Sequence, residues 1–138
     1  MLNRTLAAFA AGAVLFAGAA HAACDTTGQV EQCKGQLAAG YDVLNTYALD
    51  GQDGKITSVV DDNVLSSRMS YQLVICGADG VTFELQSGAR KPLLNNKEGD
   101  SLQTMLTIEP ERSSVYYLAF GLPAADTCGA AVLGVKAR

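Results

Sequence analysis

Four cysteines, one histidine and a band of carboxylates are the side chains with chemistry to offer in this 138-residue chain. Cys24, Cys33, Cys76 and Cys128 make an even set. Asp50, Asp53, Asp61 and Asp62 form the densest acidic region, and oxygen-rich groups of this kind can hold calcium. "DGQDGKITSVVDD" misses the helix–loop–helix calcium register, however. With Gly54 as the sixth residue, Leu49 would be first and Val60 twelfth. Asp and Gly also supply the dihedrals that tight turns need, so turns at Asp50–Gly54 and at Asp61-Asp62-Asn63 are the expected role.

The histidine, His21, lies in an export signal. Asn3 and Arg4 precede an apolar run from Leu6 to Ala20, and Ala20-His21-Ala22 has the small-x-small form of a signal-peptidase site. The run is shorter than the roughly 20 residues a membrane span requires. Cleavage after Ala22 is expected, making residues 1–22 a signal peptide and 23–138 one domain in the periplasm or outside the cell. Lipid attachment at Cys24 would call for an aliphatic residue three positions earlier, where His21 stands.

Removing 22 residues from 138 leaves 116, and removing Arg4 leaves 9 basic against 14 acidic side chains, a net charge of about −5. That balance argues against nucleic acid, whose phosphates are neutralised by Lys and Arg. Arg90-Lys91 is an isolated basic pair, read as a solvated turn. Residues 23–138 hold no histidine, so triads that move a proton through imidazole are excluded. Most zinc and non-haem iron sites lose their usual ligand as well. No catalytic, cofactor or metal residues are assigned; carboxylate chemistry, a Ser-Lys pair or a rare variant is what remains open to an enzyme of this composition.

In an exported chain four cysteines read as two disulfides. Three pairings exist. Cys24–Cys33 and Cys76–Cys128 are the expected ones, the first tying the chain's start to a short helix and the second linking the hairpin of residues 69–88 to the C-terminal strand. The chain has no C-x-x-C pair.

The elements that must position these residues are short. Residues 27–39, "TGQVEQCKGQLAA", suit one helix capped by Thr26 or Thr27 and stopped by Gly40. Val30, Cys33 and Leu37 share its face. After Gly40 the pattern is strands and turns: "YDVLNTYAL", "KITSVV", "YQLVIC", "VTFELQ", "SLQTMLTIEP", "SSVYYLAFGL" and "CGAAVLGVKA". Tyr71, Leu73 and Ile75 alternate onto one face, as do Val81, Phe83 and Leu85, which reads as a half-buried antiparallel hairpin turning at Gly77–Gly80. Ser113–Leu122 is apolar on both faces and reads as a central strand; one of Tyr116 and Tyr117 belongs to the core. Lys91–Asp100 reads as the longest polar loop. Short strands with turns every 8–12 residues predict a sandwich or barrel.

From Tyr71 to Val135 the order "YQLVIC", "VTFELQSGARKPLLNN", "LQTMLTIEPERSSVYYLAFGL", "CGAAVLGV" resembles the bacterial pre-peptidase C-terminal domain and its small exported relatives. Tyr71, Phe83, Leu85, Pro110, Tyr116 and Tyr117 occupy the matching places, over about half of residues 23–138. Relatives often carry acidic residues before the "L-x-L" strand; here only Asp79 stands there. The resemblance implies an all-β, jelly-roll-like antiparallel sandwich and a non-catalytic exported module. Together the readings give a binding or accessory module for a protein or other envelope partner. An inhibitor or immunity-type protein against an exported enzyme is the alternative, and a small carboxylate-dependent hydrolase the third. A loop-borne anchor residue at the tip of Lys91–Asp100 would favour the inhibitor.

Overall fold

The computed structural model describes residues 24–51, 58–77, 79–124 and 127–138. The signal-peptide reading, the Asp-Gly turns after Gly51, and Asp53 lie outside these residues. Among these residues one helix, α1 (Thr26–Lys34), precedes ten strands. They are β1 (Asp42–Asp50), β2 (Ser58–Leu65), β3 (Met69–Gly77), β4 (Thr82–Gln86), β5 (Pro92–Asn95), β6 (Lys97–Glu98), β7 (Ser101–Leu102), β8 (Met105–Ile108), β9 (Ser114–Gly121) and β10 (Cys128–Ala137).

Sheet A has the order β1-β10-β3-β8 and sheet B the order β2-β9-β4-β5; β6 and β7 form a separate hairpin. Every pairing is antiparallel. Each main strand except β5 crosses to the opposite sheet from the one before it, which is the jelly-roll arrangement of two interleaved sheets. The all-β, jelly-roll-like sandwich with one short N-terminal helix is therefore the observed architecture.

The core lies between the sheets. Tyr71, Leu73 and Ile75 from β3 meet Val81, Phe83 and Leu85 of the β4 segment, with Leu118 and Phe120 from β9 and Leu133 from β10. The predicted inward faces are correct, but β3 and β4 are not a hairpin. The first pairs with β10 and β8, the second with β9 and β5. A period of two fixes which face is buried, not which strand lies alongside. Gly77 makes the crossing: its φ is +99°, and a Cβ there would lie 2.7 Å from the Cα of Gly129.

A second, smaller core explains why β3 is buried on both faces. Cys33 of α1 packs on Val74, Cys76, Ala130 and Val132 on the outer side of sheet A, with Val30 and Leu37 against them. Asp25, not Thr26 or Thr27, caps the helix: its Oδ1 accepts from the Gly28 N–H at 3.1 Å. The helix also ends at Lys34, ahead of Gly40.

The disulfides correct the expected pairing. Cys24 is bonded to Cys128 and Cys33 to Cys76. A nine-residue helix is about 13 Å long, so it holds Cys24 and Cys33 at opposite ends, beyond the reach of a disulfide. Each end of α1 is stapled to sheet A instead.

Two further expectations change. Asp61-Asp62-Asn63 is not a turn but the middle of β2. Lys91–Asp100 is not one loop: it contains β5, with Pro92 opening an edge strand, and then β6. Ser114–Gly121 is central in sheet B, as its patterning implies.

Candidate functional site

A jelly roll has two open flanks where the edge strands of its sheets lie over one another. Here β1 lies with β2 on one flank, and β8 with β5 on the other. The two flanks are built differently.

The β1–β2 flank is latched. Tyr47 Oη donates to Asp61 Oδ2 at 2.9 Å, and that oxygen also receives Asn63 Nδ2 at 3.1 Å and Asn45 Nδ2 at 3.2 Å. Asn63 Nδ2 lies 3.1 Å from Tyr47 Oη as well. The Tyr47 ring packs on Phe120 with centroids 4.9 Å apart. Burial, followed by the hydrogen bond to the Asp61 carboxylate, pushes the Tyr47 phenol well above its ordinary range. An inward-pointing charge on an edge strand is a known guard against unwanted strand pairing, and Asp61 holds that position on β2.

This geometry separates the acidic residues that the sequence brings close. Asp61 points into the latch. Asp62 points outward, across from Tyr117 of β9. Asp50 lies beside the Cys24–Cys128 bridge, where ligand atoms of Cys24, Asp50 and Cys128 fall within 4.8 Å of one another. Those two sulfurs are bonded to each other, so that group offers a metal no thiolate.

The β5–β8 flank is open. At its lower end Asn96, 1% exposed, closes the gap. Its Oδ1 accepts from the Phe83 N–H at 2.9 Å, and its Nδ2 donates to Val81 O and Gln103 O, both at 3.0 Å. The Gln103 N–H donates to Asn96 O at 2.6 Å. These bonds fix the base of the β6–β7 hairpin, whose residues Lys97–Ser101 are all exposed. Above Asn96, no hydrogen bond among the described residues joins β5 to β8. A groove of about 760 Å³ opens there, bounded by the turns at Ser87–Ala89 and Glu109–Arg112. Its floor is core side chain: Leu85, Leu94, Ile108 and Tyr116. Leu93, 52% exposed, forms one wall and Val115 another. Glu109, Glu111 and Arg112 stand on its rim. The volume, with an apolar floor and a polar and charged rim, suits a ligand site.

Beside the groove lies the outer face of sheet B. On sheet A the outer face is covered by α1 over β1, β10 and β3, but Val60, Val64 and Val115 on sheet B are exposed, Val64 to 73%. Tyr117 is half-covered by the Arg90 guanidinium, 4.7 Å from its ring centroid, and Arg90 Nε donates to Gln86 Oε1 at 2.6 Å. Tyr116 is the buried partner of the tyrosine pair; its Oη donates to Arg112 O at 2.8 Å.

Sequence patterning did not reveal the groove. Its floor residues read as ordinary core, and Leu85, Ile108 and Tyr116 are indeed buried; the groove forms above them, where β5 and β8 stand apart. The predicted site residues, the four cysteines, are all in disulfides.

No protein-family model matches the chain, and no curated protein sequence does. Among solved structures it is similar to the crystal structure of Aeromonas hydrophila PliG, a periplasmic lysozyme inhibitor of g-type lysozyme. The identity is 14% and the TM-score 0.49, over 73% of this chain and 92% of that one.

Proposed function

We propose that this chain is an exported, non-catalytic module that binds a protein partner through its open β5–β8 flank. The observation that carries the reading is the contrast between flanks: one closed by a buried tyrosine–carboxylate latch, the other left as a 760 Å³ apolar groove with a charged rim. A rigid apolar depression edged by polar groups is how protein-binding surfaces combine affinity with orientation. The absence of histidine after His21 and the export signal support a stable binding role outside the cytoplasm.

The test uses immobilised protein and envelope extract. The wild type should retain a partner that Leu93→Asp, which places a charge on the groove wall, releases. Equal retention by both would overturn the assignment of the groove.

One observation favours the inhibitor form of this reading. The β6–β7 hairpin is exposed yet pinned at its base by five hydrogen bonds of Asn96, so its Glu98-Gly99-Asp100 tip is pre-ordered for insertion into a cleft. Stoichiometric inhibition of an exported cell-wall hydrolase, with g-type lysozyme in the panel, would establish it. Unchanged inhibition after deletion of the hairpin tip would refute the role of the hairpin.

A further inference from the structure

The backbone at this flank specifies how a partner is held. The Ile75 N–H donates to Thr104 O at 2.8 Å, and residues 75 and 104 continue the register that sets Leu73 opposite Leu106 and Tyr71 opposite Ile108. In an antiparallel ladder, hydrogen-bonded and non-bonded pairs alternate. Thr104, Leu106 and Ile108 therefore direct their N–H and C=O groups to β3. Met105 and Thr107 direct theirs to the free edge, and no described residue bonds them. The side chains of Leu106 and Ile108 meanwhile point inward, Ile108 into the groove floor.

We propose, building on the protein-binding reading above, that β8 is an acceptor edge. An extended segment of the partner adds to sheet A by bonding Met105 and Thr107, and its alternate side chains fill the groove. Strand addition takes affinity from the main chain and specificity from alternate pockets. The other edges are poorer acceptors: β1 and β2 are tied by the Asp61 latch, and β5 starts at Pro92, which has no N–H.

Charge selects the segment. Arg112 stands on the rim, the adjoining turn carries Arg90 and Lys91, and Arg138 reaches Pro110 O at 3.1 Å. Against these four cations stand Glu109, 4.0 Å from Arg138, and Glu111. The occupant is thus apolar at alternate positions and acidic at its ends.

The probe is a seven-residue peptide with valine at alternate positions, threonine between them and aspartate at both ends. Amide NMR on the purified, disulfide-intact protein reads the result. Shifts should centre on Met105 and Thr107, whose hydrogen exchange should slow in the complex. Lysine ends should weaken binding, and N-methylation of the peptide backbone should abolish it. Thr107→Pro removes one edge donor without removing a β3–β8 bond, and should weaken binding about tenfold, the worth of one such hydrogen bond.

Shifts centred on the β1–β2 flank, shifts absent at millimolar peptide, or equal binding of the N-methylated peptide would each overturn the proposal. So would occupation of the β8 edge by a second copy of the chain, seen as self-association. The N-methylated control decides the matter even if Thr107→Pro fails to fold. An envelope partner lost with Leu93→Asp but kept by a folded Thr107→Pro would leave the binding reading standing and remove strand addition alone.

Discussion

At Tyr47 a phenol packed against Phe120 meets the carboxylate of Asp61, and the pair links two strands that share no ladder. The folded protein holds this proton more tightly than the unfolded chain does, whose tyrosine releases it near the ordinary value of 10.0. The stabilisation is complete below about pH 10 and declines as pH rises above it. Tyr47→Phe should cost about 1–2 kcal/mol at pH 7, since Asp61 keeps only its amide donors. It should also flatten the alkaline loss of stability. Urea melts at pH 7 and at pH 11 would show both effects. Phe83 and Glu84, neighbours on β4, make a second residue-scale test. Phe83 is 1% exposed in the core, whereas Glu84 faces outward beside Gln86. Phe83→Ala should cost about 3–5 kcal/mol, and Glu84→Ala less than about 0.5 kcal/mol. Equal costs in a denaturant melt would contradict the register of sheet B.

Helix α1 depends on its staples more than on its own sequence. It buries one residue, Cys33, and ends after nine. Helices this short are marginal without tertiary support. The Cys33–Cys76 bridge closes a separation of 43 residues and Cys24–Cys128 one of 104. In the loop-entropy model these contribute about 4 and 4.7 kcal/mol. Replacing Cys33 and Cys76 together by Ala should therefore lower stability by about 4 kcal/mol. It should also raise hydrogen exchange in Thr26–Lys34 while the sandwich strands stay protected, as exchange mass spectrometry would show. At the other flank, Asn96→Leu should cost about 2–4 kcal/mol, because the Phe83 N–H and the Val81 and Gln103 carbonyls lose their partner. The same variant should free the β6–β7 hairpin, visible as faster exchange at Lys97–Leu102.

For the whole molecule, non-reducing peptide mapping of the purified protein should recover Cys24–Cys128 and Cys33–Cys76 and no alkylatable thiol. A Cys24–Cys33 peptide would refute the placement of α1. The fold also sorts charge in a way the linear order conceals. Asp25, Asp50, Asp79, Glu98 and Asp100 gather towards the end where β1 and β3 finish and β10 begins. Arg68, Arg90, Lys91, Arg112, Lys136 and Arg138 outnumber Asp42, Glu109 and Glu111 at the opposite end. The groove opens at the basic end, although the sequence carries more acidic than basic residues.

By itself the sequence determined what local periodicity and composition can carry. Alternation placed Tyr71, Leu73, Ile75, Val81, Phe83 and Leu85 in the core, and the even cysteine set fixed the number of disulfides. Apolar residues on both faces of Ser113–Leu122 marked the centre of sheet B. What depends on distant segments was decided by the tertiary structure alone. Alternation is identical whether β4 lies beside β3 or across from it, so the hairpin was legible as two faces and not as a crossing between sheets. Four cysteines allow three pairings, and only the length and placement of α1 select one. Asp61 and Asn63 carry turn-forming side chains, yet Tyr47 and Asn45 on another strand satisfy them and hold β2 extended. The groove arises where β5 and β8 stand apart above the core side chains of Leu85, Leu94, Ile108 and Tyr116. Their sequence positions are indistinguishable from core because burial belongs to the packed molecule, not to any one residue.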